Sequence, residues 1–247
     1  GTENHIIQFD GAFIELIGVA DGAAIPPPAP RRFSFGAFVR DFIAGGEGAA
    51  MLALESRNAI ADAEAFRLAR IGDFEPFFFE RQGVDAAGQP VRVSFMLAFA
   101  EPQELSRVGF FTCQQHQPQN FWSKSQQIHA NGVESIHSVV FVCDDPSDYH
   151  EFLGHFIGQR EMRATSFGLE LDTGRGMLEV LSPDAFAFRF GQPAPSDPQQ
   201  GLQLAAIRLH VGDRKKSQEV IGSAAVQIGA LTIVPASQAG GVVLAFA

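Results

Sequence analysis

Between Ser135 and Phe190 the apolar and polar positions change period several times, in an order that defines a small folding unit. Ile136-His137-Ser138-Val139-Val140-Phe141-Val142 is a near-continuous apolar run of strand length that contains one histidine. Asp144-Asp145-Pro146-Ser147 follows, with a polar cap and a proline suited to a first helical turn. Tyr149, Phe152, Leu153, Phe156 and Ile157 then recur at spacings of three and four, which predicts a helix to about Gln159. Three short strands are predicted around Arg160 to Thr165, Phe167 to Asp172 and Gly176 to Leu181, giving β-α-β-β-β.

The rest of the chain reads as partial copies of this unit. Gly1 to Phe9, a turn at Asp10-Gly11, and Ala12 to Val19 match its last two strands, so residues 1–20 form the second half of a first copy. A unit starting at its third strand leaves a vacant sheet edge. Further upstream residues, or a second chain in a homodimer, are expected to fill it. Residues 21–45 hold a Pro-rich linker and a short helix, Phe35 to Ile43. Residues 46–131 hold a second copy with strands at Ala49 to Leu54, Phe74 to Glu80, Val91 to Ala100 and Val108 to Gln115, a helix at Ile60 to Ile71, a hairpin at Gln82 to Gln89, and a connector. Residues 132–190 are the complete copy, 191–200 a linker and 201–247 a fourth copy, with a strand at Leu204 to Val211 and a helix at Asp213 to Ala224. The fold class is α+β, tandem βαβββ modules forming curved, partly open mixed sheets with helices on their convex faces.

Alternation places Met177, Glu179 and Leu181 on one face of the last strand of the complete copy. A lone carboxylate is costly to bury against a helix, so Glu179 is assigned to the opposite, concave face. In the second copy the last strand alternates Phe110, Thr112, Gln114 and His116 against Phe111, Cys113 and Gln115, and in the fourth copy the matching positions hold Ala206 and Ala245.

Composition narrows the function. A chain of 247 residues, 46% hydrophobic and without an apolar run of membrane-spanning length, reads as globular, with no membrane partner. A net charge of −10 without a large basic cluster argues against nucleic acid. Cys113 and Cys143 sit in apolar strands and read as reduced core thiols, which points to the cytoplasm. Twenty-four Phe against one Tyr and one Trp suggest packed sheets and an apolar pocket.

The β-α-β-β-β unit, with His137 on its first strand and Glu179 in an apolar fourth strand, resembles the module of the vicinal oxygen chelate superfamily, which includes glyoxalase I and extradiol dioxygenases. The resemblance is nearest to the glyoxalase-like branch through Gly1-Thr2-Glu3-Asn4, Phe13-Ile14-Glu15-Leu16-Ile17, Phe110 to Trp122, and His129-Ala130-Asn131-Gly132. It implies a divalent metal, Zn, Ni, Mn or Fe, held by Glu15, His137 and Glu179, with Glu15 and Glu179 as catalytic carboxylates. Asn4, Gln114, His116, Trp122 and His129 are the candidate substrate contacts. Three readings follow: a metal-dependent lyase or isomerase acting on a small oxygen-chelating substrate, an iron-dependent ring-cleaving dioxygenase, and a metal-free protein that binds a small ligand on the same concave sheet. Which modules pair stays open, with three-four, one-three and two-three all compatible with the spacing.

Overall fold

The computed structural model describes residues 1–84, 88–195 and 200–247. The tip of the expected 82–89 hairpin and residues 196–199 of the expected 191–200 linker lie outside them. Strands β1 (Thr2–Phe9) and β2 (Ala12–Val19) form an antiparallel hairpin. Its turn needs Gly11, whose φ of 73° lies in the left-handed region. Helix α1 (Phe35–Ala44) follows, capped by the Ser34 hydroxyl, which accepts from the Ala37 amide.

The second module is β3 (Met51–Glu55), α2 (Ala59–Ala69), β4 (Phe77–Val84), β5 (Pro90–Ala100) and β6 (Gly109–Gln115), a sheet of order β3-β6-β5-β4 with β3 and β6 parallel. The third is β7 (Val133–Val142), α3 (His150–Ile157), β8 (Arg163–Thr165), β9 (Gly168–Asp172) and β10 (Met177–Leu181). An additional helix, α4 (Pro183–Phe190), comes next and was not expected from the sequence. The fourth module is β11 (Gln203–Val211), α5 (Arg214–Ile221), β12 (Val226–Ile228), β13 (Leu231–Val234) and β14 (Val243–Phe246). The architecture is therefore mixed α+β, built from recurring βαβββ modules.

The pairing of modules is resolved. The third and fourth join edge to edge through antiparallel β7 and β11 into one sheet of order β12-β13-β14-β11-β7-β10-β9-β8. A first-strand pair is a central seam, so each module presents its last strand beside that seam, β10 against β7 and β14 against β11.

Packing then fixes the faces. The outer faces of the two large sheets share one helical layer, in which Phe66 of α2 lies 5.8 Å from Phe156 of α3 and Phe110 of β6 lies 4.9 Å from Phe152. The hairpin is wedged between the two units. Its Ile7, Phe9 and Ile14 pack on Val133, Leu209 and Phe246 of the C-terminal sheet, and its Asn4, Gln8, Phe13 and Glu15 turn to the N-terminal one. Arg175 ties the corner by donating to the Gly11 carbonyl at 3.0 Å and pairing with Glu55 at 2.9 Å.

Tyr149 is a second tie. Its hydroxyl donates to the Leu105 carbonyl at 2.5 Å and accepts from the Leu202 amide at 3.1 Å, joining both units at one buried atom. The Leu202 amide also donates to the Leu105 carbonyl at 3.0 Å, so removing that oxygen leaves the two backbone groups bonded to each other and takes away only the bonds they share with the side chain. Tyr149→Phe is expected to lower the unfolding free energy by about 0.5–1.5 kcal/mol, measured by urea denaturation; an unchanged midpoint would show that the backbone bond alone holds the joint.

Candidate functional site

Two inner faces could carry chemistry, and they differ in what covers them. On the C-terminal sheet, Glu179 does face inward, and it is only 3% exposed. Helix α4 fills this concavity. Ser182 accepts from the Ala185 amide, Pro183 opens the first turn, and Gly191 closes the helix at φ 60°. The helix thereby buries Phe186 and Phe190 completely against Val140, Leu181, Ala206, Ile233, Val243 and Ala245.

Glu179 is held by three donors, two from the sheet and one from the covering helix. Ser138 Oγ donates to Oε1 at 2.5 Å, Arg208 Nη1 donates to Oε1 at 2.8 Å, and Arg189, carried on α4, donates to Oε2. Burial alone pushes the carboxyl's pKa up; the hydrogen bonds from Ser138 and Arg208 and the charges of Arg208 and Arg189 outweigh it and hold the pKa below the ordinary 4.5.

His137 lies beside this cluster without joining it. Ser138 pairs with Arg208 and Ile136 with Leu209, which leaves His137 as the extra residue of a β-bulge. Ile136 and Val139 both pack on the outer side, so His137 and Ser138 both turn inward. His137 stays exposed at the rim while Ser138 takes the buried place next to Glu179. Burial lowers the His137 pKa, and the charge of Arg208 adds to that more than Glu179 offsets.

The implied divalent metal does not fit this donor set. Both Glu179 oxygens are taken, and an ion would have to displace two guanidinium groups from a buried carboxylate. Glu15 is on the other unit, so the expected trio of Glu15, His137 and Glu179 is not brought together. Among the described residues no three His, Cys, Asp or Glu side chains converge.

The N-terminal inner face is built differently. Phe79, Phe95, Phe99 and Phe111 form its floor; Phe33, Phe35 and Phe121 pack over it, burying Phe95, Phe99 and Phe111 and leaving Phe79 half-buried. From the hairpin, Glu15 meets this wall and accepts from Asn4 Nδ2, while Asn4 Oδ1 accepts from Arg81 Nη1 at 3.0 Å. Trp122 sits alongside, donating from Nε1 to Gln115 Oε1 at 3.0 Å, with its ring edge-on to Phe13 at 5.9 Å. Cys113 is close enough for Glu15 to act on it, and burial first, with that charge second, pushes its thiol up to about 12. It is therefore a protonated, weakly nucleophilic thiol.

The remaining candidates are placed elsewhere. Gln114 lies on the helix side, its Oε1 accepting from the Ala59 amide at the start of α2, and Thr112 beside it donates to Asp62. His116 is exposed at the strand end beside Phe78. His129 contacts the Gln8 carbonyl at 2.7 Å and packs on Phe9, which makes it a clamp between connector and hairpin. Of the sequence-derived candidates, Asn4, Glu15 and Trp122 share one surface. Arg81 and Gln115 were not singled out; alternation already set Gln115 opposite Gln114, whereas Arg81 reaches Asn4 from 77 residues away.

The glyoxalase-like domain model matches residues 1–157, well over half of the chain. The chain belongs to the glyoxalase-like domain family. The match includes the hairpin, the four-stranded sheet and the start of the third module, so it covers the whole Glu15 surface and excludes β10. The paired βαβββ modules place this glyoxalase-like protein in the vicinal oxygen chelate superfamily. Among solved structures, a hypothetical protein from Staphylococcus aureus is similar over 100% of this chain and 85% of that chain, at 12% identity and a TM-score of 0.63, which supports the fold alone. Methylmalonyl-CoA epimerase from Mycobacterium tuberculosis aligns over 48% of this chain and 90% of that one, at 12% identity and a TM-score of 0.34, too slight a likeness to argue from. A search of curated proteins returned no match. Among the described residues no helix is long and apolar enough to cross a membrane.

The Glu179 cluster makes a stability prediction with a defined sign. Because the folded pKa is depressed, the stabilisation is present above about 4.5 and is lost as pH falls through the folded value. Glu179→Ala strands two largely buried guanidinium groups and is expected to cost about 3–5 kcal/mol at pH 7. Glu179→Gln should flatten the acid limb of the stability curve, read by denaturation from pH 7 to pH 3; an acid limb identical to that of the parent protein would remove the ion pairs from the account.

Proposed function

We propose that this glyoxalase-like protein binds a small, largely apolar molecule at the N-terminal inner face and does so without a metal ion held by its own side chains. The observation that carries this reading is the contrast between two inward carboxylates. Glu179 is neutralised by two arginines and roofed by α4, whereas Glu15 meets a phenylalanine-lined wall with an amide on it and Arg81 one bond further along. Aromatic side chains supply sequence-independent apolar contact, and a few convergent polar groups orient the ligand. Glu15 accepts from a ligand hydroxyl or amine, Asn4 fixes the carboxylate, and Trp122 with Phe121 closes one side. A neutral ligand with one or two donor groups on an aromatic or aliphatic body suits this set.

The position of Glu15 favours a second reading. It sits near the middle of a last module strand and faces inward, which is where the resemblance places a catalytic carboxylate. In that case Glu15 acts as a general base on a carbon acid, taking a proton from the carbon next to a carbonyl. The dioxygenase reading has less support, since two histidines and a carboxylate do not converge among the described residues.

A ligand panel with thermal unfolding as readout tests the site. Binders should raise Tm, and Glu15→Gln or Trp122→Ala should reduce their affinity by about tenfold or more, on the order of 1.4 kcal/mol, while Gln114→Ala leaves it unchanged. Equal effects of Glu15→Gln and Gln114→Ala would overturn the assignment. Protein treated with chelator and protein incubated with zinc should bind the same ligand equally; an affinity that depends on added metal would defeat the metal-free reading, and deuterium uptake by a bound carbonyl compound would select the general-base alternative.

A further inference from the structure

The C-terminal cleft holds a buried donor that its structural role does not use. Two guanidinium groups, Arg189 and Arg208, meet the single carboxylate of Glu179. Of the Arg208 guanidinium only Nη1 has an acceptor, Glu179; Nε is buried with none among the described residues. A buried donor without an acceptor is costly, and native structures usually supply one from protein, water or a bound ion. Two histidines border Arg208 on the same side. The bulge at His137 turns that ring inward opposite Arg208, and His210, two residues along β11, faces the same way. Both are exposed, so this end of the cleft is open to solvent, whereas the other end is closed by Phe186 and Phe190. Glu134 also faces the rim, 3.7 Å from His210, so Arg189 and Arg208 balance Glu179 and Glu134 when both rings are neutral, and each protonated ring adds one positive charge.

We propose that this rim, Arg208 with His137 and His210, is a binding site for a compact oxyanion, either free phosphate or the phosphate group of a small monoester. Arg208 Nε lacks an acceptor among the described residues, and an anion oxygen entering from the rim supplies one through a charge-assisted bond. Imidazole N–H groups on either side complete a shell of donors. The site is separate from the Glu15 surface, so its failure leaves the reading of that surface untouched.

Calorimetric titration of the full chain with inorganic phosphate, at ionic strength held constant with chloride, tests the site. Saturable binding with a Kd of about 1 mM or lower is expected. His137→Ala and His210→Ala, both at exposed positions, should each weaken it by about fivefold or more. Arg208→Ala is a poor test by itself because it also strands Glu179. A parallel titration with glycerol phosphate separates the two sources: tighter binding assigns the site to a monoester, equal or weaker binding to free phosphate. Absence of saturation up to about 20 mM of either anion, or an affinity unchanged in both histidine variants, overturns the proposal.

Discussion

A sheet has two faces, and in this protein the shared helical layer settles one of them for both units. α2 and α3 pack between the sheets, with Phe66, Phe110, Phe152 and Phe156 in mutual contact, so each sheet has only its inner face left to commit. What covers that inner face decides what each unit can do. The C-terminal unit uses a helix of its own, and the phenylalanines of α4 occupy the volume a ligand would need. The N-terminal unit uses a hairpin and an aromatic strip from α1 and the connector, which bury Phe95, Phe99 and Phe111 and leave Phe79 half-buried.

The same logic explains the fates of two carboxylates at comparable strand positions. A carboxylate under an apolar helix must be compensated or neutralised, because an isolated buried charge costs several kcal/mol. Glu179 is compensated by Arg189, delivered by the covering helix, and by Arg208, delivered by the partner module. Cover and counter-charge arrive together, and the acid becomes structural. Glu15 is met by Asn4, a neutral donor, and has no ion-pair partner among the described residues, so its charge is not compensated in the way that of Glu179 is.

Much of this was legible in the chain. Recurrent βαβββ units are written in local signals, such as the alternation of β10 and the three-and-four spacing of α3, and the inward placement of Glu179 followed from alternation together with the cost of burying a lone carboxylate under a helix. The pairing of β7 with β11 was not, because both first strands are apolar and nothing local selects a partner. α4 had readable signals in Ser182-Pro183-Asp184, in Phe186 and Phe190 one turn apart, and in Gly191, but they follow directly on a strand and pass for its tail. Arg189 and Arg208 could not be matched to Glu179 from sequence, lying 10 and 29 residues away, and a bulge at His137 cannot be seen without the partner strand.

That bulge has the largest leverage over the C-terminal cleft. In a regular strand only one of His137 and Ser138 faces inward; the extra residue turns both to the same side. Ser138 then takes the buried place and gives Glu179 a short neutral hydrogen bond, while the imidazole is displaced along the strand to the rim, next to Arg208. Were the bulge absent, with Ser138 still inward, His137 would lie under the helical layer and the rim would lose its ring. One inserted residue thus separates a histidine from the carboxylate it would otherwise be expected to join and sets it beside a cation instead.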